Sequence, residues 1–297
     1  MADAPPPGTA RRAPPGFTPT QRKAFDRDGF ITIPGAIPPE DVRRYVDAID
    51  RCAAADSKYN PAEFYSPENI AERDPVFAEL IDHPRHIGLA YDLFGELTKL
   101  QLSQCMIRPR GGWYNHWHPD GPRAVPYTVF IPPALPAVLK ISYWLTDHLR
   151  PRMGNLVVMP GSQRQEYFEA YDTDDAVPGE HIVMAKAGDM TVMHCSCWHR
   201  VEPNESDVPR KNFFYAYCPS WIGVQDRYTN NDAWLKTLTH EQRILMRSYA
   251  YPYSNAKPPA ADFPLYLDRE TGADRDPGKY HDRVSLDRRK RKLAHEQ

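Results

Sequence analysis

Long apolar runs are missing from this sequence. No stretch of its 297 residues reaches the roughly 18 uncharged positions that a membrane-spanning helix needs, the longest uncharged run being the 16 residues 124–139 with four prolines, although hydrophobic residues make up 41% of the chain, enough for a sizeable core. The start, Met1-Ala2-Asp3-Ala4-Pro5-Pro6-Pro7, has no charged residues followed by an apolar block. No secretory leader is therefore expected, and the chain reads as soluble and cytoplasmic, without a membrane partner. Cysteine is sparse and odd in number: Cys52, Cys105, Cys195, Cys197 and Cys218 are scattered and read as free thiols in a reducing compartment. Cys195-Ser196-Cys197 has no second pair to complete a zinc site, so it reads as strand neighbours in a core. An excess of basic charge is also absent. The formal net charge of −2 argues against a nucleic-acid partner, and the one dense basic run, Arg288-Arg289-Lys290-Arg291-Lys292, reads as part of a solvated tail.

Three segments emerge from what is present. Residues 1–16, rich in Pro, Ala and Arg, read as a disordered arm; 17–250 as one domain; and 251–297 as a polar C-terminal extension. Thr18-Pro19-Thr20-Gln21 is an N-cap, a first-turn proline and a capping-box glutamine, which opens a helix ending near Gly29. Phe30–Ile33 then alternates as a strand. Pro38-Pro39-Glu40 opens a second helix whose buried face is Val42, Tyr45, Val46, Ile49 and Cys52. Residues 55–72 give no assignable pattern. Two short helices are expected over Val76–Ile81 and His86–Phe94, with His83 and His86 as helix-end or surface histidines, and another over Thr239–Tyr249. From Leu97 onward short runs rich in Val, Ile, Tyr and Phe are separated by Gly- or Pro-bearing turns. Helices followed by many short strands predict an α+β, mainly β fold: a double-stranded β-helix of the jelly-roll or cupin-like kind, supported by N-terminal helices.

Trp117-His118-Pro119-Asp120-Gly121 holds the chemistry. His118 and Asp120 stand i, i+2, which on a strand turns both side chains to one face. With one histidine from a distant strand they make two imidazoles and a carboxylate, the facial triad of non-haem Fe(II) oxygenases, which leaves open metal positions. His194 and His199 compete for the third place. Arg210 follows His199 by eleven residues, room for a turn and a return strand, and its planar fork suits a carboxylate. His199 is therefore chosen and His194 read as a core or supporting histidine.

The sequence resembles the phytanoyl-CoA dioxygenase-like family of Fe(II)/2-oxoglutarate-dependent oxygenases. The resemblance rests on Trp117-His118-Pro119-Asp120, Gly154-Asn155-Leu156-Val157-Val158-Met159-Pro160-Gly161-Ser162, Gly188-Asp189, Trp198-His199, Asn204-Glu205-Ser206 and Arg210. Phe25-Asp26-Arg27-Asp28-Gly29-Phe30 at the start is similar as well. Two positions depart from the pattern: Gln163 replaces a usual histidine and Met153 a usual asparagine. The resemblance implies Fe(II) on His118, Asp120 and His199, with Arg210 on the distal carboxylate of 2-oxoglutarate and O2 as oxidant. Asp120 argues against halogenation, which needs that ligand position for chloride.

Tyr143 and Gln104 are candidates for the second cosubstrate contact, each weighed against an ordinary strand side chain. His116, by strand parity with His118, Tyr127, in the Pro-bearing loop 123–139 that reads as a lid, and Trp221, at the cavity mouth, are candidates for touching substrate. Arg108, Arg110 and Arg123 flank the metal segment and are candidates for receiving an anion. The expected reaction is hydroxylation of a C–H bond in a small molecule, as in natural-product tailoring. Desaturation or rearrangement by the same oxidant, a non-oxygenase cupin-like metalloprotein and a silent binding scaffold are the alternatives, and homo-oligomer formation stays open.

Overall fold

A computed structural model describes residues 14–95, 98–111, 115–120, 136–164, 173, 175–227 and 230–246. Tyr127, Arg123, loop residues 123–135, nearly all of the 1–16 arm and the 251–297 extension lie outside the described residues. The capping box at Thr18 forms as the sequence predicts. The Gln21 backbone N–H donates to the Thr18 hydroxyl (3.2 Å), and the Gln21 side chain accepts from the Thr18 N–H (3.0 Å). Helix α1 (Pro19–Asp28) ends at Gly29, whose φ of +79° belongs to the left-handed region. Strand β1 (Phe30–Ile33) and helix α2 (Pro39–Ala55) follow, α2 burying Val42, Tyr45, Ile49 and Cys52. Short helices α3 (Pro75–Ala78) and α4 (Ile87–Phe94) complete the N-terminal layer.

The strands are β2 (Thr98–Arg108), β3 (Asn115–His118), β4 (Leu139–Trp144), β5 (Leu156–Val158), β6 (His181–Ile182), β7 (Met190–His194), β8 (His199–Val201) and β9 (Arg210–Pro219), followed by helices α5 (Asp232–Leu235) and α6 (His240–Met246). They form two antiparallel sheets, ordered β1-β7-β4-β9-β2 and β3-β8-β5-β6. This is the jelly-roll arrangement expected, with the helices packed on the outer face of the larger sheet. Along β4 and β9 the odd-numbered side chains Ile141, Tyr143, Phe213, Tyr215 and Tyr217 enter that helix-facing core. The even-numbered ones, among them Lys140, Ser142, Arg210 and Phe214, face the space between the sheets.

All five cysteines are buried free thiols. Among the described residues no helix is long and apolar enough to cross a membrane. His86 stands at a helix end as expected, at the N-cap of α4, but is fully buried. Its Nδ1 lies 2.7 Å from the Tyr143 hydroxyl and its Nε2 2.7 Å from that of Tyr217. Tyr217 donates to the Ile81 carbonyl (2.9 Å), so its oxygen accepts from Nε2–H, leaving Nδ1 to accept from Tyr143. Burial keeps this imidazole neutral, well below its ordinary pKa.

Candidate metal centre

His118 and His199 are opposite residues in the β3–β8 register, and their ring centroids stand 4.4 Å apart. Asp120 lies just past the end of β3, where its backbone N–H donates to the Cys195 carbonyl (2.8 Å). That bond ties the start of the following loop to the larger sheet. His118 Nε2 is 3.9 Å from Asp120 Oδ1 and His199 Nε2 is 3.6 Å from Oδ2. The ligand atoms of all three residues fall within 4.8 Å of one another, a spacing that one divalent ion can bridge. The other ring nitrogens face carbonyls: His118 Nδ1 that of His116 (2.8 Å) and His199 Nδ1 that of Cys197 (3.0 Å). Each Nδ1 therefore carries the proton, and the Nε2 atoms turn toward Asp120, that of His118 also accepting from the Asn115 amide at 3.3 Å. Burial pushes His199 down to about 3, so it is neutral at physiological pH. For Asp120 burial acts upward, but the Lys140 ammonium and the His199 and His118 rings outweigh it, and its carboxyl is held well below the usual carboxylate range. Two imidazoles and an ionised carboxylate are the donor set that Fe(II) takes in a facial triad.

The triad opens on a cavity of about 290 Å³ between the sheets. Arg210 enters it from β9 and Arg108 from β2, the two being register partners. Both are buried, at 4% and 1% exposure. Arg210 stacks over Trp144 at 4.8 Å and donates through one terminal nitrogen to the Gly154 carbonyl, while its Nε has no partner. Arg108 lies over the Phe64 ring at 4.6 Å. Burial lowers both guanidinium pKa values, Arg108 to about 10, and for Arg210 the Arg108 charge adds to the effect. Gly154, at φ +76°, makes the pair possible: a Cβ there would stand 3.2 Å from Arg210 Cδ and 3.3 Å from Arg108 Cδ. Two guanidiniums in a cavity whose single acidic lining residue, among those described, is Asp120 have the charge and fork geometry that can receive a carboxylate.

The remaining candidates divide. Gln104 lines the cavity, its amide nitrogen 2.7 Å from the Ser66 hydroxyl. Tyr143 does not, because odd parity turns it to the helix side, against His86. Tyr143→Phe is expected to cost about 1–3 kcal/mol of stability by leaving a buried nitrogen unpaired, with no change in 2-oxoglutarate affinity. Denaturant unfolding and a cosubstrate titration check both halves.

His116 is exposed and outside the cavity, since β3 carries an extra residue between Asn115 and His118 relative to β8. The bulge breaks the parity argument and brings Asn115, not His116, in beside His118. Trp221, 58% exposed, is not part of the cavity wall. Arg110 pairs with Asp207 at the surface. His194 faces away from the cavity, its Nδ1 accepting from the Ser196 N–H (3.0 Å). Lys140, with Nζ 2.7 Å from Asp120 Oδ2, and the walls supplied by Phe64, Ser66 and Phe214 went unnoticed in the sequence. For Lys140 and Phe214 alternation along β4 and β9 was the available signal.

Relatives and solved structures share this fold. An ectoine dioxygenase from Streptomyces coelicolor is 25% identical over 233 residues, 66% of this chain and 75% of its own length. Among solved structures, HygX from Streptomyces hygroscopicus with nickel, 2-oxoglutarate and hygromycin B bound superposes with a TM-score of 0.58 at 19% identity, over 70% of this chain and 89% of that one. EctD from S. alaskensis with 2-oxoglutarate and 5-hydroxyectoine gives 0.58 at 23% identity, over 70% and 77%. The family profile described as phytanoyl-CoA dioxygenase (PhyH) matches residues 25–212 and so takes in the triad and Arg210 together. With the family profile spanning most of the domain and the two-sheet frame in place, the chain belongs to the phytanoyl-CoA dioxygenase family and is a 2-oxoglutarate-dependent dioxygenase using Fe(II), 2-oxoglutarate and O2.

Proposed function

We propose that this enzyme hydroxylates a C–H bond of a small molecule, as a tailoring hydroxylase, and that His118, Asp120 and His199 hold its iron. The observation that carries the reading is the pairing, across one cavity, of that triad with two buried guanidiniums. Fe(II) bound there supplies the coupling of 2-oxoglutarate decarboxylation to oxidation, R–H + 2-oxoglutarate + O2 giving R–OH, succinate and CO2. Arg210, with Arg108 beside it, takes the distal carboxylate of 2-oxoglutarate as a charge-assisted, two-pronged pair. Stacking on Trp144 and the bond to the Gly154 carbonyl hold the Arg210 fork before the cosubstrate arrives, which lowers the ordering cost of binding. Gln104 offers an amide toward the same space. Phe64, Leu102, Phe214 and Ala216 form an apolar wall for the substrate's carbon frame. A concave surface of aromatic, aliphatic and amide side chains between the sheets suits a small molecule better than a polymer.

The test is anaerobic addition of Fe(II) with and without 2-oxoglutarate, followed by the weak visible charge-transfer band near ~500 nm that cosubstrate chelation at such a site produces. The expected result is a band that needs both components, with slow succinate release once O2 is admitted. A freshly reconstituted protein that shows neither sinks the proposal.

A further inference from the structure

Lys140 is a cation with only a borrowed partner. Its Nζ lies 2.7 Å from Asp120 Oδ2 and 4.1 Å from the Phe214 ring centroid, and the side chain is 17% exposed. Asp120 is the metal carboxylate, so an ion in the triad competes with Lys140 for the same oxygens. No other acidic side chain lines the cavity among the described residues.

The charges of the loaded site do not cancel. Fe(II) and Asp120 sum to one positive charge, and the two carboxylates of 2-oxoglutarate turn that into one negative charge. Arg108 and Arg210 bring the sum to one positive, and Lys140 raises it to two. A surplus of like charge among side chains buried between two sheets is unfavourable unless a counter-charge enters. The arginines are committed to the cosubstrate, whereas Lys140 stands beside the metal at the apolar wall.

We propose that Lys140 is a specificity-determining residue that receives the carboxylate of an anionic substrate, so that the substrate class is small organic acids oxidised at a carbon held near that carboxylate. The proposal rests on the oxygenase reading above. It assigns the neutral amides of Gln101, Gln104 and Gln225 to the remaining polar groups of such a molecule. A cationic substrate is repelled by the same surplus.

Binding can be read without knowing the natural substrate. The anaerobic Fe(II)–2-oxoglutarate enzyme is titrated with butyrate and benzoate, with their uncharged counterparts butyramide and benzamide, and with butylamine. Each runs up to roughly 100 mM, where a single charge-assisted contact is measurable. The carboxylates are expected to shift the visible band while the amides and the amine leave it in place. Lys140→Met should weaken carboxylate binding at least about tenfold, and Lys140→Arg should retain most of it. The comparison of probes in the wild type stands even where a variant fails to fold.

Equal response to acids and amides, no response to any probe, or unchanged carboxylate affinity in Lys140→Met overturns the proposal. So does loss of the band instead of a shift, because carboxylates then displace 2-oxoglutarate from the arginine pair. Absence of the band before any probe is added is a different result, the failure of the oxygenase reading itself.

Discussion

Alanine at His199 is expected to abolish turnover, by at least about 10³-fold, and to erase the cosubstrate charge-transfer band. His199 is 3% exposed and paired in register with His118, and its protonated Nδ1 is anchored on the Cys197 carbonyl. No other histidine among the residues lining the cavity can stand in for it. Loss of an outer-sphere partner alone costs a metal site about 10–100-fold in affinity, so removing a ligand should weaken divalent-metal binding by more than that, measured by titration with Mn(II) under argon. His194→Ala is the matched control. That ring packs near Phe25 at 6.2 Å on the far side of β7, and its loss should leave metal affinity intact whatever it costs in stability. Near-normal metal binding by His199→Ala would mean that the triad is misassigned.

Arg210→Met carries the second large effect, and its two consequences differ in sign. Removing one partner of a buried charge pair costs about 2–5 kcal/mol, which is about 30-fold to several thousand-fold in 2-oxoglutarate affinity. KM for 2-oxoglutarate should rise accordingly, with the metal still bound. Without cosubstrate, however, the guanidinium is an uncompensated buried cation next to Arg108, with an unpartnered Nε. Deleting it should leave the ligand-free protein as stable as before or more so. Differential scanning calorimetry with and without 2-oxoglutarate separates the two: the cosubstrate-induced stabilisation disappears while the ligand-free midpoint does not fall. An unchanged KM would remove Arg210 from the site. Arg210→Lys should rescue only part of the binding, since a point charge neither forks onto a carboxylate nor stacks flat on Trp144.

What the sequence made readable was spacing along single strands. His118, Asp120, His199 and Arg210 meet because short strands separated by tight turns return at predictable intervals, and the helix caps at Thr18 and Gly29 are local chemistry. The alternating burial of β4 also contained the answer for Tyr143: with Lys140 and Ser142 facing the cavity, an odd-numbered neighbour cannot. His116 was a different matter. A one-residue bulge shifts parity and leaves no mark in the residue types around it. Phe64 and Ser66 come from the stretch that gave no pattern, because it meets β2 only through isolated bridges, Tyr65 to Ile107 and Glu68 to Gln104. The helix-end place of His86 was readable but its burial was not, because its partners, Tyr143 and Tyr217, lie 57 and 131 residues away, a separation that local periodicity does not sense.

In the proposed function the two grips on the cosubstrate stand on different layers. His118 and His199 belong to the smaller sheet, Arg108 and Arg210 to the larger. A dicarboxylate held at both ends must bridge from one layer to the other, and facing sheets keep a separation of about 10 Å. On that reading oxaloacetate is expected to fall short of one grip and 2-oxoadipate to overreach it, so that both support weaker activity than 2-oxoglutarate in a cosubstrate assay. Chain-length selection would then follow from how the sheets are packed, through residues that touch neither end of the acid.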